Sequence, residues 1–187
     1  MTRHNMMIYE NKKPVGNQIN PDLNICVVKE TSSGEKTWYY GKNIVTNDGD
    51  LYYAQQAVET GSPTRDFGGS NGRMELRTGS ATPAKADVFT QVTTPIPTSI
   101  QEIDSTYPKV NDSDSDNTGA GTDIVTWRTS WTTSDFNATA IIGGCIHVGG
   151  ASPASGTKLL THFSLTSFNK TSSDTLKIFV NHTFNGT

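Results

Sequence analysis

The residues best spaced to do chemistry lie in the run Asn111-Asp-Ser-Asp-Ser-Asp-Asn-Thr-Gly119. Asp112, Asp114 and Asp116 recur at every second position, and Asp123 follows eleven residues after the first. Hard oxygen ligands at that spacing can converge on Ca²⁺. Asp112, Asp114, Asp116 and Asp123 are therefore the candidate metal ligands, and Ca²⁺ is the candidate cofactor. Two departures weigh against it. Asn117 stands where the sharp turn of a calcium loop wants glycine, and Asp123 stands where a bidentate glutamate is usual. Strands, not helices, are expected on either side. The competing reading is a solvated turn rich in Asp and Asn, whose short side chains bond the backbone two residues on.

Other chemistry is thinner. His147, His162 and His182 fall in expected strands, where a histidine is more often a satisfied sheet residue than a ligand, and His4 precedes them all. No His-x-x-x-His or Cys-x-x-Cys spacing supports a metal site. No Gly-x-Ser-x-Gly elbow is present, and Gly143-Gly144 and Gly149-Gly150 lack the lysine and hydroxyl of a phosphate cradle. No catalytic residues are expected. Trp38, Tyr39, Tyr40, Trp127 and Trp131 carry rings able to stack on sugars, but tryptophans alternating within one strand more often share a core. Arg65, Arg73, Arg77 and Arg128 are candidates for pairing with acidic partners across an interface, against the plain alternative of solvated arginine.

Fifteen Lys and Arg against eighteen Asp and Glu leave no basic stripe for nucleic acid. No apolar run of about 18 residues is long enough for a membrane-spanning helix, and the first residues lack the apolar centre of a secretory signal. Cys26 and Cys145 sit far apart in apolar contexts. Two buried free thiols are expected in preference to a disulfide.

The elements that must position these residues read as β-structure. From Asp174 to Gly186 the chain alternates, with Leu176, Ile178, Val180, His182 and Phe184 on one side, which predicts a long half-buried strand. Ile25–Lys29 and Lys36–Tyr40 make a hairpin in which Gly34 takes positive φ. Arg73–Arg77 predicts a strand with Met74 and Leu76 inward. The segment from Asp87 to Tyr107 carries Pro95 and Pro97, which suit an edge or crossover. Asp123–Trp131, Thr139–Val148 and Lys158–Leu165 follow as strands, with Gly143-Gly144 marking a bulge or a close backbone approach. One short helix is predicted over Thr46–Val58, capped by Asn47 or Asp48, with Leu51, Ala54 and Val58 on one face. Residues 1–24 read as an extended arm and residues 25–187 as a single domain. The hydrophobic share of 33% is low, which suits an all-β chain with polar loops or one that completes its core by oligomerising. The expected fold is an all-β, antiparallel β-sandwich, jelly-roll-like, with one short helix and the N-terminal arm.

Several stretches resemble segments of virion structural proteins of tailed bacteriophages. They are Asn43-Ile-Val-Thr-Asn-Asp-Gly-Asp-Leu-Tyr-Tyr-Ala54, Met74-Glu-Leu-Arg-Thr-Gly79 with Pro83-Ala-Lys85, Tyr107-Pro-Lys-Val-Asn-Asp-Ser-Asp114, Val125-Thr-Trp-Arg-Thr-Ser-Trp131 and Lys170 to Phe184. The resemblance covers most of the chain beyond residue 43. It implies a non-enzymatic β-sandwich that decorates or cements the virion head, a homo-oligomer (dimer or trimer) bound to the major capsid protein at the capsid surface, with no nucleic-acid or membrane partner. A capsid decoration protein is the first expectation. The alternative is a receptor- or glycan-binding module of a tail fibre or tip, or a neck or tail-completion protein. A fibre would show repeats or a trimerising heptad stretch, and neither is visible.

Overall fold

Alternating β-formers between turn residues build nearly everything in the computed structural model, which describes residues 23–58, 66–67 and 71–184. Residues 1–22 of the expected arm, His4 and Arg65 among the candidates, and Asn185–Gly186 of the expected last strand lie outside those residues. The strands are β1 (Ile25–Thr31), β2 (Lys36–Val45), β3 (Arg73–Arg77), β4 (Gln101–Glu102), β5 (Lys109–Val110), β6 (Ile124–Trp131), β7 (Ala138–His147), β8 (Leu159–Lys170) and β9 (Asp174–Thr183). The helix, α1 (Asn47–Val58), follows β2. All pairings are antiparallel, in the order β4-β3-β7-β8-β2-β1-β9-β6-β5. The sheet curls until its ends approach. Just past β4, the Asp104 N–H donates to the Arg128 carbonyl of β6 at 2.9 Å. The terminal strands β4 and β5 are two residues each, which leaves little open edge.

Local signals account for the joints. The β1–β2 hairpin turns through Gly34 at φ 82°. Pro95 and Pro97 lie in the crossover between β3 and the edge strand β4, where a missing N–H costs no ladder bond. Gly143 and Gly144 are both a register irregularity and a close approach. A Cβ on Gly143 would stand 2.4 Å from the Phe163 carbonyl oxygen, and one on Gly144 would stand 2.5 Å from that of Glu75.

The inner face holds one large core. Ile25, Val27, Met74, Leu76, Trp127, Trp131, Phe163, Ile178 and Val180 meet there, and Tyr52 of α1 joins them with its ring edge-on to Phe67, centroids 5.4 Å apart. The outer face of β1, β2 and β9 holds a second cluster of Cys26, Val28, Trp38, Tyr40 and Phe179. The last strand is therefore buried on both faces rather than half-buried, because it lies between β1 and β6 and residues 111–119 cover its outer side.

The helix differs from its expected face. Thr46, not Asn47 or Asp48, supplies the cap, its hydroxyl accepting the Gly49 N–H at 3.2 Å while donating to the Leu159 carbonyl. Leu51, Ala54 and Val58 face solvent, and Gly49 and Tyr52 face the sheet. Gly49 permits this seating, since a Cβ there would lie 2.2 Å from the Leu160 carbonyl oxygen. Tyr52, at 6% exposed, packs its ring on Phe67, whereas Leu51 and Val58 are 44% and 80% exposed.

Candidate functional site

The Asp112–Asp116 run folds as a chain of Asx turns. Asp112 Oδ1 accepts the Asp114 N–H, Asp114 Oδ1 the Asp116 N–H, and Asn117 Oδ1 the Gly119 N–H, at 3.3, 3.0 and 3.1 Å. This i to i+2 bonding explains the every-second-residue spacing. The remaining carboxylate oxygens turn to separate partners. Asp112 accepts from the Tyr107 hydroxyl (2.8 Å) and the Asn117 amide (3.0 Å). Asp114 accepts from Arg128 at 2.8 Å. Asp116 accepts from Lys36 at 2.9 Å and Lys177 at 3.0 Å. Asp123 contributes its carbonyl to the Phe184 N–H. Among the described residues no three His, Cys, Asp or Glu side chains are grouped to hold a metal. Asn117, which breaks the calcium-loop pattern, has a job of its own, a reciprocal amide pair with Asn181 at 3.1 and 3.2 Å.

The loop is a clamp, not a solvated turn. The Asp116 carbonyl accepts the Trp38 indole N–H at 3.3 Å and meets the Cys26 thiol at 3.5 Å, which seals the outer cluster. Burial pushes the Asp116 carboxyl up, but hydrogen bonds from Lys36 and Lys177 outweigh it and hold the group below the usual carboxylate range. Asp112 behaves alike, with burial opposed by Asn117 and Tyr107. The Asp116 hydrogen bond raises Lys36 in return.

A second polar group lies on the outer side of β3, β7 and β8. Arg77 is 1% exposed, and its guanidinium donates to the carbonyls of Gly79, Ala81 and Phe163 and to the Ser164 hydroxyl. His162 Nδ1 lies 2.7 Å from Asp87 Oδ2, and Glu75 faces His147 at 3.5 Å. Cys145 stands across the strands from both Glu75 and His162. Cysteine, histidine and aspartate are the types of a nucleophile, its base and an orienting acid, but here Cys145 and His162 are wholly buried. Burial drives the thiol far up and the imidazole down, so both stay neutral. Cys26 and Cys145 form no disulfide and are buried, as their contexts imply.

The aromatic candidates are core residues. Trp127 and Trp131 lie in the inner core, Trp38 and Tyr40 in the outer cluster, and Tyr39 stacks on Phe168 at 4.9 Å. Arg128 bonds Asp104 and Asp114 within the chain, and Arg73 pairs with Glu102 at 2.9 Å.

A site that sequence reasoning missed opens where β2 and β9 run past the start of β1. It is a cleft of about 590 Å³, within the size range of ligand sites, bordered by Asn24, Asn43, Val45, Tyr53, His182 and Thr183. The Lys85–Asp50 ion pair stands at its mouth, and Phe184, 47% exposed, sets its ring edge-on to Tyr53 at 4.8 Å. Inside, the Trp127 indole N–H donates to the Tyr53 hydroxyl at 2.7 Å, and that hydroxyl reaches Nδ1 of His182 at 2.5 Å. An indole N–H can only donate, so the Tyr53 hydroxyl oxygen accepts from Trp127 while its hydroxyl shares a second hydrogen bond with Nδ1 of His182. Burial, reinforced by Lys85, lowers the His182 pKa to about 3, so the ring is neutral. Nε2 of His182 and Nδ2 of Asn43 are buried with no partner among the described residues. The sequence clue is the Tyr52-Tyr53 pair, which shares its helix with the aliphatic stripe Leu51, Ala54 and Val58.

The chain matches no known protein family, and no curated protein or solved structure is detectably similar to it.

Proposed function

We propose that this chain is a non-enzymatic structural protein of a phage virion, an oligomer that decorates the head and stabilises it by binding the major capsid protein lattice. The observation that carries this reading is that the groups able to do chemistry fasten loops to the sheet. The acidic run clamps the outer cluster through Lys36, Lys177 and Arg128, and the Cys145, His162 and Asp87 row is closed to solvent. What remains is a rigid β-scaffold, in keeping with the particle-protein resemblance in its sequence. The finer architecture belonging to this reading is a jelly-roll-like sandwich, supported by the curl of the sheet around one shared core.

The test is co-sedimentation of the purified protein with undecorated phage heads. Stoichiometric uptake at many copies per head is the expected result. Heads that take up none would overturn the reading. Of the residues that motivate the glycan-binding alternative, the tryptophans are 0 to 8% exposed.

A further inference from the structure

Among the described residues, the cleft beside Tyr53 has the form of a missing strand. β1 pairs with β2 only as far as Ile25 opposite Gly41, and with β9 only as far as Ile25 opposite Val180. β2 continues to Val45 and β9 to Thr183, each still paired on its other side, to β8 and β6. Asn24 closes β1 with two bonds. Its carbonyl accepts the Asn181 N–H at 2.9 Å, and its side-chain Oδ1 accepts the Asn43 N–H at 2.8 Å. The second of these is the bond that the Leu23 carbonyl would take if β1 ran on. An amide side chain has replaced the ladder, so the strand stops there.

Main-chain groups alternate sides along an antiparallel strand. Asn43 and Asn181 both direct their N–H toward β1, so Val45 and Thr183, two residues on, direct theirs into the cleft from opposite walls. Strands neighbour each other at about 4.8 Å, so two strands flanking an absent one stand roughly 10 Å apart, the room that one extended chain needs. Asn43 and His182 of the same lining each hold a buried side-chain nitrogen with no partner among the described residues.

We propose that this cleft accepts an extended segment as an added strand, and that the segment is Met6–Tyr9 of a second copy of this chain. Twenty-two residues precede Leu23, and within them Met6-Met7-Ile8-Tyr9 is an apolar run with β-forming Ile8 and Tyr9 and no proline or glycine before Pro14. The thirteen residues between Tyr9 and Leu23 reach up to about 45 Å when extended, enough to cross to a neighbour. The chain's own continuation is the poorer occupant, because Asn24 has capped the ladder and Pro21, the residue that would next face Val45, has no N–H. Main-chain bonds of this kind bind an extended segment with little demand on its side chains. The inference rests on the oligomeric part of the function proposed above and not on the capsid.

The test uses full-length chains and no phage heads. Thr183→Cys, at an exposed position, is placed in one chain and Ile8→Cys in another, and the two are mixed under mild oxidation; native Cys26 and Cys145 are buried. The expected results are an oligomer by light scattering, a disulfide between the two different chains, and a monomer when Ile8→Pro removes the docking N–H. Far-UV circular dichroism and melting check that the Ile8→Pro chain is folded, and the disulfide result decides if it is not. A monomeric wild type, an oligomer that survives Ile8→Pro, or mixed chains that do not cross-link would each overturn the inference. A protein that exchanges strands yet ignores heads would keep this inference and remove the capsid reading; one that coats heads without cross-linking would do the reverse.

Discussion

Two loops cover the outside of the same sheet by opposite means. Residues 111–119 lie over β1, β2 and β9 and are held by charges at the rim, with the partner side chains Arg128, Lys36 and Lys177 between 22 and 37% exposed. Residues 79–92 lie over β3, β7 and β8 and are held from beneath, by a guanidinium and an imidazole at most 1% exposed. A rim pair works in high dielectric, is screened by salt, and is worth little singly. A buried group has no water to fall back on, so its removal leaves acceptors unsatisfied. The first cover should open gradually and locally, the second only with the fold.

The largest effect should come from the buried cover. Arg77→Met leaves the carbonyls of Gly79, Ala81 and Phe163 without their donor, and a loss of about 3 kcal/mol is expected in urea unfolding. Lys36→Met at the rim should cost no more than about 0.5 kcal/mol, because the lysine is one-third exposed and Lys177 still holds Asp116. Equal losses from the two substitutions would break the comparison.

Acid should separate the covers next. Burial lowers the pKa of His162 in the folded protein, so below its unfolded value of about 6.5 the unfolded chain takes a proton that the folded one refuses. Stability therefore begins to fall as pH drops through about 6.5, by up to about 1.4 kcal/mol per pH unit for each such histidine. His182, lowered to about 3, adds a slope of the same sign. His162→Gln should remove part of the slope and His182→Gln another part. Asp112 and Asp116 are depressed instead, so their contribution is intact above the unfolded carboxylate value and is lost only as pH falls through their lower folded values. A stability curve flat between about pH 6.5 and 4.5 would show the histidines to be accessible.

The architecture was legible in sequence where period and packing agree. Trp127 and Trp131 share the core because the strand alternates, and Gly143-Gly144 marks a close approach because only glycine fits under the Phe163 and Glu75 carbonyls. The helix face is not legible from apolar spacing, which does not report how closely a helix approaches its sheet; here Gly49 allows the close approach and Tyr52 is the ring buried. In the acidic run a spacing of two serves calcium ligation and Asx turns equally. What decides is where Lys36, Lys177 and Arg128 arrive from β2, β9 and β6, which local sequence cannot say. The cleft was illegible for a related reason, since a gap between strands is defined by which strand stops first.

The finest separation is kinetic and uses the two native thiols as reporters. Cys26 sits under the rim-held loop, with its thiol against the Asp116 carbonyl, and Cys145 lies within the region of the buried cover, with both cysteines no more than 2% exposed. Static burial therefore predicts no difference between them, and any difference in labelling reports how each cover opens. Asp116→Asn keeps the Asx turn but discards the charge that Lys36 and Lys177 hold, so Cys26 should label faster while global stability drops by only about 1 kcal/mol. Raising salt to about 1 M, where the screening length shrinks to about 3 Å, should move the wild-type Cys26 rate the same way by a few-fold at most. Cys145 should ignore both changes, because no rim charge lies between it and solvent opening. If its rate rose in step with that of Cys26, the two covers would be one cooperative unit, and the contrast between rim and interior would be one of chemistry without a difference in opening.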